Sequence, residues 1–213
     1  VLSIGDMWAK LMSENLGYQR FGTQGGDWGA SVTARLGFFH GAKVIGIHST
    51  LPFRPTPYMG PGSKELSKAE EDMLQQRRDW QTTEGGYAHI QGTKPQTLSY
   101  GLNDSPAGLA AWIVEKYRTW SDCGGDVEKK FTKDELLTTI TIYWATQSIG
   151  SSTKIYYETL RKPWNLEKGQ RIDVPCGIAA FPAEISVPLR EWVERSYNVQ
   201  QWTVMPSGGH FTA

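Results

Sequence analysis

The sequence lacks several features that would indicate a function directly. Lys and Arg number 22, Asp and Glu also number 22, and no basic or acidic run stands out. This neutral balance predicts no nucleic-acid partner. No apolar segment approaches the roughly 18 residues that a membrane-spanning helix needs. The two cysteines, Cys123 and Cys176, have no metal-ligand spacing and suggest no disulfide framework.

Aromatic residues are abundant, with nine Trp and nine Tyr in 213 residues. Large amphipathic side chains at this density are typical of an enclosed apolar pocket with polar tips.

The first fifty residues alternate between helical and strand patterns. Residues 2–16 have helical spacing, 18–24 form a short aromatic run between glycines, and 29–41 have helical spacing again. Residues 43–50 are a continuous apolar run, as in a buried parallel strand. This order predicts one doubly wound α/β unit.

A helical stretch then interrupts the α/β pattern. After a Pro- and Gly-rich loop at 51–63, residues 64–171 contain no convincing parallel strand, and the clearest helices are predicted at 67–81, 105–120 and 132–147. The α/β pattern returns with a strand at 172–182, a helix at 187–197 and a last strand within 199–210. We therefore predict an α/β core in two segments, 1–53 and 172–213, with a helical cap inserted at 54–171.

Asp27 lies in the turn "QGGDWGAS" between a predicted strand and a predicted helix. The turn has the outline of a nucleophile elbow, with aspartate where serine is usual. Such a turn presents its side chain at the carboxyl end of the sheet, where open α/β folds keep their sites. An aspartate before a helix is also a common N-cap, and the local motif does not separate these interpretations.

Glu184 and His210 also follow predicted strands. A histidine on a glycine loop suits a general base, and a carboxylate can hold the imidazole tautomer. Each residue alone is more typical of a surface loop than of a catalytic site. Together with Asp27 they have the chain order nucleophile, acid, base, which is that of the α/β-hydrolase triad.

Four stretches extend this pattern: "NLGYQRFGTQGGDWGAS", "GGYAHIQGTKPQTLSYGLNDSPAGLAAWIVEKYRTW", "AAFPAEI" and "SGGHF". They resemble the nucleophile, cap, acid and base segments of the microsomal-type epoxide hydrolases, a branch of the α/β-hydrolase fold. The resemblance implies an α/β-hydrolase core, a mostly parallel sheet flanked by helices, with an inserted helical cap. The family's upstream His-Gly-x-Pro loop, first strands and final helix are not matched. We therefore expect an excerpt of about half an enzyme, inactive by itself.

The resemblance implies a role for each candidate. Asp27 would be the nucleophile, Glu184 the acid and His210 the base. The backbone N–H of Trp28 would supply half of the oxyanion hole.

Two cap tyrosines would donate hydrogen bonds to the epoxide oxygen. Tyr87 matches the first. The sequence "KIYYETL" offers Tyr156 for the second, favoured by the Tyr-x-Glu pattern, with Tyr157 as the alternative substrate-binding residue.

The implied reaction opens a small-molecule epoxide to a vicinal diol through an ester on Asp27, which water activated by His210 and Glu184 then hydrolyses. No metal or organic cofactor is expected. The alternatives are a haloalkane dehalogenase, which also has Asp followed by Trp, and a non-catalytic ligand-binding relative. Membrane association and homodimerisation stay open, and we expect a cytoplasmic protein with any membrane anchor outside these residues.

Overall fold

The computed structural model describes residues 2–52, 59, 63–167, 169–187 and 189–212. Its strands are β1 (Phe21–Gly25), β2 (Val44–Ser49), β3 (Ile172–Ala180) and β4 (Tyr197–Val204). Its α-helices are α1 (Leu2–Lys10), α2 (Asp27–Phe39), α3 (Lys68–Thr83), α4 (Gly86–Thr93), α5 (Pro95–Asp104), α6 (Pro106–Thr119), α7 (Lys133–Thr146), α8 (Ile149–Arg161) and α9 (Arg190–Glu194).

Contacts within the chain define two compact units. The first comprises Val1–Arg77 and Asn165–Pro206, and the second comprises Arg78–Trp164 and Ser207–Ala213. The predicted core and cap boundary at 53/54 lies outside the described residues. The division of the chain into domains at 1–53, 54–171 and 172–213 therefore remains a prediction, separate from the grouping by contacts.

The first unit is built on a parallel sheet. Its four described strands lie in the order β1-β2-β3-β4, and each neighbouring pair is parallel. Helix α2 packs close to this sheet at Gly37, where a side-chain Cβ would lie 2.9 Å from the Ile172 and Val174 methyl groups. The predicted α/β unit at the start of the chain is thus confirmed.

The last predicted helix, at 187–197, is much shorter than expected. Among the described residues of this range, only Arg190–Glu194 is helical. Tyr197 already pairs with Ile172 as the first residue of β4, so sheet pairing takes over the end of the predicted helix.

The second unit is helical. Between residues 64 and 171, the described residues contain no strand, as predicted. Its core consists of buried apolar side chains from four helices: Leu102, Leu109, Ile140 and Ile149. Two of these helices begin at local capping signals. At the start of α6, the Ser105 side chain accepts from the Gly108 amide, and Pro106 follows as the first helical residue. At the start of α7, Thr132 forms a capping box with Glu135.

Within the described part of the chain, no helix is long and apolar enough to cross a membrane.

Candidate active site

Asp27 is the first residue of α2 and has a backbone φ of +46°. A non-glycine residue in this left-handed region carries strain of order 1 kcal/mol or more. The N-cap position belongs to Gly26, which makes no side-chain capping hydrogen bond. The N-cap interpretation of Asp27 is therefore wrong, and the turn has the strained strand-to-helix form of a nucleophile elbow.

Two glycines make this tight turn sterically possible. A Cβ at Gly25 would overlap the backbone of Gly29, and a Cβ at Gly26 would lie 2.5 Å from the Thr50 hydroxyl oxygen. At Gly29 a Cβ would meet nothing within 4 Å. Packing therefore requires glycine at positions 25 and 26, but not at position 29.

Glu184 follows β3, as Asp27 follows β1. Because the strands are parallel, both residues leave the sheet at its carboxyl edge, with β2 between their strands. Glu184 is partly buried, and its carboxylate oxygen accepts from the Ile185 amide at 2.8 Å. Its own amide donates to the Phe181 carbonyl at 3.3 Å. The turn therefore holds this carboxylate close to the strand end.

In the second unit, Tyr87 of α4 and Tyr156 of α8 form an aromatic pair. Their ring centroids are 5.7 Å apart and the rings meet edge to face at 81°. The neighbouring Tyr157 packs instead under the Arg161 guanidinium, 3.2 Å from its ring centroid. Tyr156 is therefore the one of the two adjacent tyrosines whose ring contacts Tyr87.

Trp120 connects this pair with His210. The Trp120 ring lies 5.1 Å from the Tyr87 ring and 5.4 Å from the imidazole of His210, which it meets edge to face at 86°. The His210 amide also donates to the Trp120 carbonyl at 2.8 Å. Our sequence reasoning assigned no role to Trp120. The signal was present, since it ends the "EKYRTW" stretch of the cap.

An ion pair lies beside these rings. The Lys116 ammonium is 5.1 Å from the ring centroids of both Tyr87 and Trp120. Glu84 accepts from Lys116 at 3.3 Å and from the Trp120 indole N–H at 3.1 Å. The side chains of Lys116 and Glu84 are only 15% and 21% exposed. This arrangement fixes the Trp120 ring from two sides.

The predicted site residues are divided between the two units. The first unit contains Asp27, Trp28 and Glu184, and the second contains Tyr87, Tyr156, Tyr157 and His210. Among the described residues, no group of three or more His, Cys, Asp or Glu side chains has an arrangement that could hold a metal ion.

Comparisons with known proteins give a consistent result. Epoxide hydrolase 1 of Oryctolagus cuniculus is 37% identical over 234 residues, a match that covers 100% of this chain and 51% of the relative. Juvenile hormone epoxide hydrolase 2 of Ctenocephalides felis is 34% identical over 225 residues, covering 95% of this chain and 48% of the relative. No protein-family model matches the chain.

Solved structures agree with these sequence relatives. The crystal structure of juvenile hormone epoxide hydrolase from Bombyx mori superimposes with a TM-score of 0.82 at 28% identity, covering 99% of this chain and 54% of that one. The chain spans about half the length of the curated relatives it matches. It is therefore homologous to the epoxide hydrolases of the microsomal and juvenile hormone types, and it has the α/β-hydrolase fold.

Proposed function

We propose that the complete protein is an epoxide hydrolase that opens a small-molecule epoxide to a vicinal diol through an ester on Asp27. The observation that carries this proposal is the left-handed conformation of Asp27 at the β1–α2 turn, in a chain homologous to epoxide hydrolases. The edge-to-face pair of Tyr87 and Tyr156 supports an epoxide hydrolase over a dehalogenase, because a leaving halide does not need to be protonated by a phenol.

Ring opening uses Asp27 and the two tyrosines. A carboxylate is itself an anionic nucleophile, so it needs no general base to attack a tetrahedral epoxide carbon. The new C–O bond forms as the ring C–O bond breaks. The ring oxygen leaves as an alkoxide, and the phenol of Tyr87 or Tyr156 protonates it. The products are the ester-alcohol and a tyrosinate.

Ester hydrolysis uses His210, oriented by Glu184. His210 takes a proton from water, and the water oxygen attacks the carbonyl carbon of the Asp27 ester. When the intermediate collapses, the imidazolium protonates the departing alkoxide and the diol is released. The Asp27 carboxyl keeps one oxygen from water, and its proton returns to the tyrosinate.

The intermediate needs donors for its oxyanion. The amide of Trp28 lies in the first turn of α2, where backbone N–H groups point out of the helix end. We assign this amide as one donor.

A direct test compares diol formation from styrene oxide by the complete protein and its Asp27→Ala variant. We expect a loss of more than about a thousandfold, as for removal of other catalytic nucleophiles. Asp104→Ala, at the exposed end of α5, is the matched control and should leave the rate unchanged. Unchanged diol formation in Asp27→Ala would contradict the proposal. Halide release from a chloroalkane without diol formation from the epoxide would favour the dehalogenase alternative.

A further inference from the structure

The loop that carries His210 is held by the turn that follows α6. The Gly208 amide donates to the Asp122 carboxylate at 3.0 Å, and the His210 amide donates to the Trp120 carbonyl at 2.8 Å. Two amides of the histidine loop are thus bound by two residues of one turn. Because the two donors are backbone amides on either side of Gly209, these hydrogen bonds fix the backbone conformation that leads to His210.

The turn itself is tied to the end of α6. The Cys123 thiol donates to the Arg118 carbonyl at 3.1 Å, and the Arg118 guanidinium donates to the Gly125 carbonyl at 2.8 Å. Ser121 and Cys123 are buried on either side of Asp122. The Asp122 carboxylate is therefore presented from a fixed backbone.

The loop is shaped to reach this carboxylate. Gly208 is buried and has a φ of +106°, a conformation that residues with side chains rarely adopt. An N–H bond to an ionised carboxylate is about twice as strong as one to a neutral acceptor. On the other side of His210, the Phe211 ring stacks on Tyr117 at 4.2 Å with an interplanar angle of 6°.

We propose that Asp122 is a positioning residue for His210. This rests on the proposed function, in which His210 acts in ester hydrolysis and takes no part in ring opening. Loss of the Asp122 carboxylate would leave the Gly208 amide without its acceptor and let the loop shift. Misplacement of a catalytic group by about 1 Å costs up to about a hundredfold in rate. The cost should therefore fall on the second step alone.

The test follows the ester on Asp27 in the complete protein during a single turnover of styrene oxide. In Asp122→Ala we expect ester hydrolysis to slow by about tenfold or more and ring opening to change by less than about twofold, so that the ester accumulates. Asp122→Asn keeps an oxygen acceptor, so its rate of ester hydrolysis should lie within about threefold of the wild-type rate. Asp126→Ala is the matched control, since this aspartate in the same turn accepts from the Glu128 amide and not from the histidine loop.

The possible results separate the two proposals. Parallel slowing of both steps, or an unchanged hydrolysis rate in Asp122→Ala, would overturn the positioning role. Absence of any ester in the wild-type protein would instead refute the proposed function. Circular dichroism checks folding. If Asp122→Ala does not fold, Asp122→Leu replaces it, because leucine also has no acceptor for the Gly208 amide, and the same split between the steps is expected.

Discussion

The rings of Tyr87 and Tyr156 meet edge to face at 5.7 Å, although the two residues lie far apart in the sequence. Helices α4 and α8 bring them together, and Arg161 of α8 donates to the Gly92 carbonyl of α4 at 3.3 Å. The pair is therefore built into the packing of two helices and does not depend on a loop.

Replacing either paired tyrosine should slow ring opening. We expect Tyr87→Phe and Tyr156→Phe each to lower its rate by about 10- to 100-fold, because in the proposed reaction each tyrosine is one donor to the developing alkoxide. Tyr157→Phe should change it by less than about twofold, since Tyr157 packs against Arg161. Single-turnover consumption of styrene oxide measures the step. Equal losses in Tyr156→Phe and Tyr157→Phe would contradict the assignment.

The backbone strain at Asp27 should lower the free energy of unfolding by a measurable amount. Glycine adopts a φ of +46° without the Cβ penalty, so Asp27→Gly should be about 1 kcal/mol more stable to unfolding than Asp27→Ala. Both variants lack the carboxylate. Ala111 is exposed within α6, and there Ala111→Gly should instead lower the free energy of unfolding by about 1 kcal/mol. Urea denaturation gives both differences, and the same sign at the two positions would argue against strain at the elbow.

The ion pair beside Trp120 should contribute to stability. Lys116→Met is expected to lower the free energy of unfolding by about 1–2 kcal/mol, because it leaves the mostly buried Glu84 without its counter-ion and removes the cation–π contacts. A double-mutant cycle with Glu84→Gln should give a coupling energy of about 1 kcal/mol. Lys154→Met, on the exposed face of α8, serves as control. A coupling energy near zero would show that the pair acts only through packing.

Glu70 should make folding sensitive to acid. The Trp192 indole N–H and the Ser67 amide donate to this carboxylate, and these hydrogen bonds lower the pKa of Glu70 below its ordinary 4.5. The folded state thus binds the proton less readily than the unfolded state. The stabilisation is present above 4.5 and is lost as the pH falls through the lowered pKa.

Denaturation at about pH 6 and about pH 3 measures this effect. Glu70→Gln should weaken the fall in stability between the two pH values, because glutamine does not titrate. Glu71→Gln, an exposed neighbour in the same helical turn, should leave that fall as it is in the wild-type protein. An identical fall in all three proteins would exclude Glu70 as a source of acid sensitivity.

Local signals made part of the fold predictable. The start of α6 follows from Ser105 and Pro106, and the start of α7 from Thr132 and Glu135, because capping involves residues three positions apart. The helix predicted at 187–197 was too long because its end depends on pairing with Ile172, a distant residue. Strand pairing of this kind leaves no mark in the local sequence.

The candidate site, like the fold, was predictable from the sequence only in part. Asp27, Glu184 and His210 were visible as polar residues after strands, and Tyr87 and Tyr156 through a resemblance to a family. The left-handed conformation of Asp27 decided between an elbow and a helix cap, which the motif alone left open. The hydrogen bonds from the Gly208 and His210 amides to Asp122 and Trp120 join residues about 90 positions apart, and they could not be predicted from spacing.

The central claim is that water attacks the ester carbonyl of Asp27 and not the epoxide. The complete protein, in excess over styrene oxide, is allowed one turnover in heavy-oxygen water, and mass spectrometry locates the label. Our account predicts a diol that carries no label and an Asp27 peptide that gains one heavy oxygen. A labelled diol with an unlabelled Asp27 peptide would contradict it.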